Sequence, residues 1–222
     1  MQSNEILTID GPRLTPSSGA TAKQVVILLH GLGADGNDLF ALAPQLSSIL
    51  PDAAFVAPHA PWPCDMAPMG FQWFSLRDHS PESIRDGVAQ AAPVLDAFID
   101  QELGRYGLGE ESLALVGFSQ GTMMALHVAI RRVRAPAAVV GFSGALVGAQ
   151  ALASEAQVKP PVLLVHGNAD PIVPVEAHGE GVSSLLAAGF SVESHIRPGL
   201  GHGIDETGLS YGQEFLIKHF AA

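Results

Sequence analysis

The chain has 222 residues, 47% of them hydrophobic and 15% charged, which is enough apolar material for one sizeable core and argues against disorder. Its formal net charge of −11 speaks against nucleic acid or an anionic membrane surface as a partner, because both select basic patches. Cys64 is the one cysteine, so no internal disulfide forms; with a polar N-terminus and no apolar run of membrane length, the expectation is a single domain over residues 1–222 in the cytoplasm.

An edge strand is expected near Ile6–Ile9, followed by a surface turn over Pro12–Thr21. Apolar, β-branched runs then predict strands at Val25–Leu29, Ala53–Val56, Leu113–Val116, Ala137–Val140, Val162–Val165 and Ser191–Ile196. Helical patterns fall between and after them at Asn37–Leu50, Pro81–Arg105, Ser119–Arg132, Val175–Ala188 and Thr207–Phe220. The alternation reads as α/β, and continuous rather than alternating apolarity, as in Val25–Leu29, predicts a mostly parallel sheet covered by helices on both faces. The longest irregular stretch, Ala57–Ser80, carries both tryptophans, so it either packs on the core edge or lines a pocket.

Chemistry concentrates at Gly117-Phe118-Ser119-Gln120-Gly121, which follows a strand and opens a helix. That is the setting of a nucleophile elbow: a sharp turn lifts the serine out, and the flanking glycines remove side chains that would clash. Ser143 also ends a strand, but Ala145 stands where the second glycine belongs. A serine hydroxyl needs a base, and the base needs a carboxylate to hold its tautomer. In such a sheet both follow the serine, acid before histidine, on loops at strand ends. Asp170 and His202 satisfy order and placement, ahead of Asp205, Glu176, His166 and His178. The N–H of Gln120 and one from the glycine-rich loop His30–Gly33, best Leu32, are the expected oxyanion donors. That loop lacks the Gly-Lys-Ser/Thr ending of a phosphate cradle, and no H-E-x-x-H or paired cysteines announce a metal. Cys64 reads as a packed thiol.

These blocks resemble the carboxylesterase/phospholipase family of α/β-hydrolases, which includes acyl-protein thioesterases, lysophospholipases and bacterial carboxylesterases. The likeness runs through Leu29–Asp38, Ala57–Pro61, Gln72–Phe74, Gly117–Gly121, Gly141–Gly144, His166–Pro174 and Gly201–Ile204, in order. It implies an α/β-hydrolase fold without a large lid, a Ser119–His202–Asp170 triad with Leu32 and Gln120 as oxyanion donors, no cofactor, ester or thioester hydrolysis, and often a homodimer. Trp62–Leu76 looks like the bacterial esterase form of the variable loop. The expected substrate is a small ester, or alternatively a lipid-like one, its acyl group lying against Leu32, Trp62, Met66, Met69, Trp73, Phe74 and Ile172, since apolar loops beside an elbow form pocket walls.

Overall fold

In the computed structural model, which describes residues 7–221, alternate residues of the central strands feed two separate cores. Val25, Ile27 and Leu29 meet Leu113, Leu115 and Leu164 on one side, while Val26, Leu28, Val116, Val140 and Leu163 meet on the other. Burial on both faces explains why these strands read as unbroken apolar runs.

The strands are β1 (Arg13–Leu14), β2 (Gln24–Leu29), β3 (Ala53–Val56), β4 (Trp62–Pro63), β5 (Phe71–Gln72), β6 (Leu113–Phe118), β7 (Ala138–Phe142), β8 (Val162–Gly167) and β9 (Val192–Arg197). The helices are α1 (Gly36–Phe40), α2 (Ala43–Ile49), α3 (Pro81–Tyr106), α4 (Gln120–Ala129), α5 (Leu152–Glu155), α6 (Val175–Ala187) and α7 (Glu206–Phe220). One sheet runs β1-β3-β2-β6-β7-β8-β9, with every pair parallel except β1 against β3; β4 and β5 form a separate hairpin. Buried residues of α3, α4 and α6 close the first core and those of α1, α2 and α7 the second, giving the expected three-layer α/β-hydrolase arrangement. Among the described residues no helix is long and apolar enough to cross a membrane.

Topology places the site. The chain steps from β2 out to β3 and returns on the other side of β2 as β6, so the loops after β2 and β6 leave the sheet side by side. The register pairs Leu29 with Gly117, which sets the His30–Gly33 loop against Ser119 in the crevice where such sheets bind ligands.

Three expectations change. The helix expected over Asn37–Leu50 is two helices, because Pro44 has no N–H to give and its ring would clash with the preceding turn; it sits instead in the first turn of α2. The edge strand is Arg13–Leu14 inside the expected surface turn, whereas Leu7–Ile9 form no strand and Ile6 lies outside the described residues. A short helix, α5, fills the β7–β8 connection, where the sequence suggested none.

A buried ion pair fixes the edge. Arg13 Nε and Nη2 donate to the two carboxylate oxygens of Glu102 at 3.0 and 2.7 Å, and the Glu102 side chain is fully buried in α3. Arg13→Met leaves that carboxylate one cation, the half-exposed Arg105 at 3.2 Å, and a 3.4 Å bond from the Gln101 amide. Truncating one side of a buried pair is strongly destabilising, so the variant is expected to lose about 3 kcal/mol in a urea titration. A loss under about 0.5 kcal/mol, the size of an ordinary surface change, would show that the pair does not hold β1 to α3.

Candidate active site

β6 runs straight into α4 through a single residue, Ser119, whose φ of 53° and ψ of −117° lie where L-residues are strained. The surroundings hold it there. Its N–H donates to Phe142 O at 2.9 Å, and Thr122 Oγ1 donates to Gly117 O at 2.8 Å, tying the first turn of α4 back to the strand. A Cβ at Gly121 would lie 1.9 Å from Leu29 O, and one at Gly117 would lie 2.5 Å from Thr122 N, so both positions need glycine. The result is a serine 8% exposed at the wall of a cavity.

His202, on the loop after β9, lines the same cavity. Its Nδ1 lies 2.7 Å from Asp170 Oδ2, on the loop after β8. The other Asp170 oxygen accepts from Ile172 N–H at 2.8 Å and Val173 N–H at 3.0 Å. Burial of the Asp170 side chain raises its pKa, yet the bonds from His202, Val173 and Ile172 outweigh burial and hold the carboxyl below the ordinary range. An ionised carboxylate can only accept, so His202 carries its proton on Nδ1 and keeps the Nε2 lone pair free. Phe118 packs on the imidazole at 4.9 Å between ring centroids, and Ser143 Oγ donates to Gly203 O at 3.2 Å, bracing the histidine loop. Behind the carboxylate, His166 Nε2 donates to Val173 O at 2.9 Å and lies 3.3 Å from Asp170 Oδ2. The hydrogen bond of the His202 ring is to Asp170, with none to Ser119.

Leu32 and Gln120, the residues expected to supply oxyanion donors, both line the same cavity. Gln120 is the first residue of α4, where N–H groups have no partner within the helix and the dipole is positive. Leu32 lies in the adjoining loop, and among the described residues no backbone acceptor takes its N–H. The cavity holds about 530 Å³, the size of small-ligand sites. Apart from Ser119, Gln120 and His202, its wall is mostly apolar, with Leu76, Ile84, Phe118, Met123, Ile172 and Pro174 prominent and Asp38 and His79 as its charged or titratable additions.

The expected pocket wall is therefore met in part. Leu32 and Ile172 line the cavity; Trp62, Met66, Met69, Trp73 and Phe74 do not. Trp73 is fully buried, with its indole N–H on His30 O at 3.0 Å, and Phe74 packs where Gly87 of α3 has no side chain. Trp62 pairs with Gln72 in the β4–β5 hairpin and packs on the first core. Met66 and Met69 point outward, 53% and 80% exposed. Most of the apolar stretch covers the core edge, while Leu76 and His79 near its end line the cavity, so both roles its composition allows are filled.

Residues 14–220 match the model of the phospholipase/carboxylesterase family. The chain belongs to that family. Esterase PE8, known from a crystal structure, is 41% identical with a TM-score of 0.92 over 96% of this chain and 99% of its own. Esterase YpfH of Escherichia coli is 27% identical over 195 residues, 88% of this chain and 82% of the relative. Acyl-protein thioesterase 1 of Gibberella zeae is 27% identical over 226 residues, 93% of this chain and 96% of the relative. This chain is thus a carboxylester hydrolase of the α/β-hydrolase superfamily.

Several wall residues of this hydrolase escaped the sequence reading. Met123 follows Ser119 by four residues, one helical turn, so the period of α4 already places it beside the serine. Ile84 and Leu76 carried no comparable signal, since only the tertiary fold brings the start of α3 over the cavity. Among the described residues no group of three or more His, Cys, Asp or Glu side chains could hold a metal ion.

Proposed function

We propose that this carboxylester hydrolase acts through Ser119 as nucleophile, His202 as general base and acid, and Asp170 as the carboxylate that orients His202, on small-molecule esters of short to medium acyl length. The 2.7 Å bond between His202 Nδ1 and Asp170, at the cavity into which Ser119 opens, is the observation that carries this reading.

His202 Nε2 takes the Ser119 proton as Oγ attacks the acyl carbonyl. The Leu32 and Gln120 N–H groups receive the developing oxyanion, and His202 passes its proton to the departing alcohol. Water then adds to the acyl-enzyme by the same route in reverse. Asp170 stays ionised and offsets the imidazolium charge. A mostly apolar cavity of about 530 Å³ supports an alkyl chain as its occupant. The thioesterase relative keeps a second reading in view, hydrolysis of long acyl thioesters.

The test is kcat/KM along p-nitrophenyl esters from acetate to palmitate, with a palmitoyl thioester beside them. The expected profile peaks between butyrate and octanoate. Met123→Ala is expected to move the peak to a longer chain by enlarging the wall one turn from Ser119. Activity that climbs to palmitate, or a preference of about tenfold for the thioester, one decade of transition-state discrimination, would replace the short-ester reading with the long-chain one.

A further inference from the structure

Resting on that reading of the oxyanion donors, we infer that the Gln120 side chain is a positioning residue: it clamps the elbow to Trp73–Phe74 and so holds both donors in one rigid unit. Gln120 is 1% exposed, yet both ends of its amide are used. Oε1 accepts from Trp73 N–H at 2.8 Å, and Nε2 donates to Phe74 O at 2.8 Å. No catalytic step engages this side chain, whose own backbone N–H is one of the two donors.

The clamp continues to the other donor. Trp73, once docked, donates its indole N–H to His30 O at 3.0 Å. His30 is fully buried: Nδ1 donates to Gly31 O at 2.7 Å and Nε2 accepts from Ala60 N–H at 3.0 Å, which fixes one neutral tautomer. Burial pushes the His30 pKa down, in keeping with that neutral form. Just past Leu32, Gly33 N–H donates to Phe71 O at 2.9 Å, and Phe71 N–H donates to Ala34 O at 2.8 Å. The backbone groups on both sides of Leu32 are thereby committed to β5, Trp73 or His30, while the Leu32 N–H itself is left for the cavity. From Leu32 through β5, Trp73 and the Gln120 amide to the Gln120 N–H, hydrogen bonds and short stretches of chain make one continuous path.

An amide suits the position because a neighbouring N–H and C=O must be met together, one needing an acceptor and the other a donor. Oxyanion stabilisation depends on donors held to a few tenths of an ångström, and losing one costs roughly a hundred- to a thousand-fold in kcat. A clamp that only blurs both donors should cost somewhat less. If Gln120 merely satisfied buried backbone groups, its loss would lower stability without selecting the transition state.

The test compares wild type with Gln120→Met, which keeps length and removes both bonds, and Gln120→Glu, which supplies the missing donor only when protonated. Kinetics on p-nitrophenyl butyrate are read beside affinity for an aryl trifluoromethyl ketone, to which Ser119 adds to give a bound oxyanion, and for butyrate as a ground-state ligand. For Gln120→Met we expect kcat to fall about 30- to 300-fold with KM within about threefold, and ketone affinity to weaken by a similar factor while butyrate binding holds. For Gln120→Glu, kcat relative to wild type at the same pH should rise as pH is lowered from about 9 to about 6, because burial favours the neutral acid, which restores the donor. If Gln120→Met does not fold, Gln120→Glu alone decides. Unchanged kcat or unchanged ketone affinity in Gln120→Met, or a pH-independent ratio in Gln120→Glu, overturns the clamp while the esterase reading stands. A folded wild type silent on every ester overturns both.

Discussion

Ser119→Ala is expected to lower kcat on p-nitrophenyl butyrate by about a million-fold, the loss seen when a triad that acts as a unit is broken. What survives should come from the oxyanion donors and from binding alone. The substitution suits this position for a physical reason. Alanine keeps the Cβ and gains no conformational freedom at φ 53°, so the strained elbow remains held by Phe142 O, Thr122 and the glycines on either side. Melting should therefore move by no more than about 2 °C, and the activity loss can be read as chemistry rather than unfolding. A drop of less than tenfold would remove Ser119 from the mechanism.

Asp170→Asn is expected to lower kcat by about ten-thousand-fold, and the hydrogen bonds around the carboxylate say how. Oδ1 accepts from the N–H groups of Ile172 and Val173, so the amide oxygen of asparagine takes that place. The amide NH2 must then face His202 Nδ1, which can only accept from it, and the imidazole proton moves to Nε2. A base with its proton already on the side of Ser119 cannot take another, which is the tautomer failure that gives losses of about ten-thousand-fold. The same NH2 would oppose His166 Nε2, whose proton is directed at Val173 O. The sign of the stability effect follows from the depressed pKa. Ionised Asp170 contributes stability above the ordinary carboxylate pKa and loses it as pH falls through the lower folded value, so the gap in stability between wild type and Asp170→Asn should narrow in acid. A fall in kcat below about tenfold would contradict the tautomer role of Asp170.

How far the sequence reached depended on how local each determinant was. The elbow was legible because strand, serine, flanking glycines and helix are contiguous, and chain order then singled out Asp170 and His202, which the fold does bring into contact. The central strands β2, β3, β6, β7 and β8 were legible because two-sided burial leaves unbroken apolar runs. The pocket wall was not. Trp73 and Met69 are equally apolar in sequence, yet one is locked against the His30–Gly33 loop and the other stands in solvent, a difference set by partners such as His30 O and the Gln120 amide, distant in the chain. The edge strand was missed for a related reason, since two residues pair with β3 and a charged anchor on α3, not local β-propensity, keeps them there.

The central claim, that Ser119 is the acyl-bearing atom's residue, is tested most directly by a fluorophosphonate that bonds to an activated hydroxyl and is then located by peptide mass spectrometry. The account predicts one adduct, on the tryptic peptide ending at Arg131 and at Ser119 within it, absent from Ser119→Ala and strongly slowed in Asp170→Asn. An adduct on Ser143 or Cys64, or labelling that survives in Ser119→Ala, would contradict it.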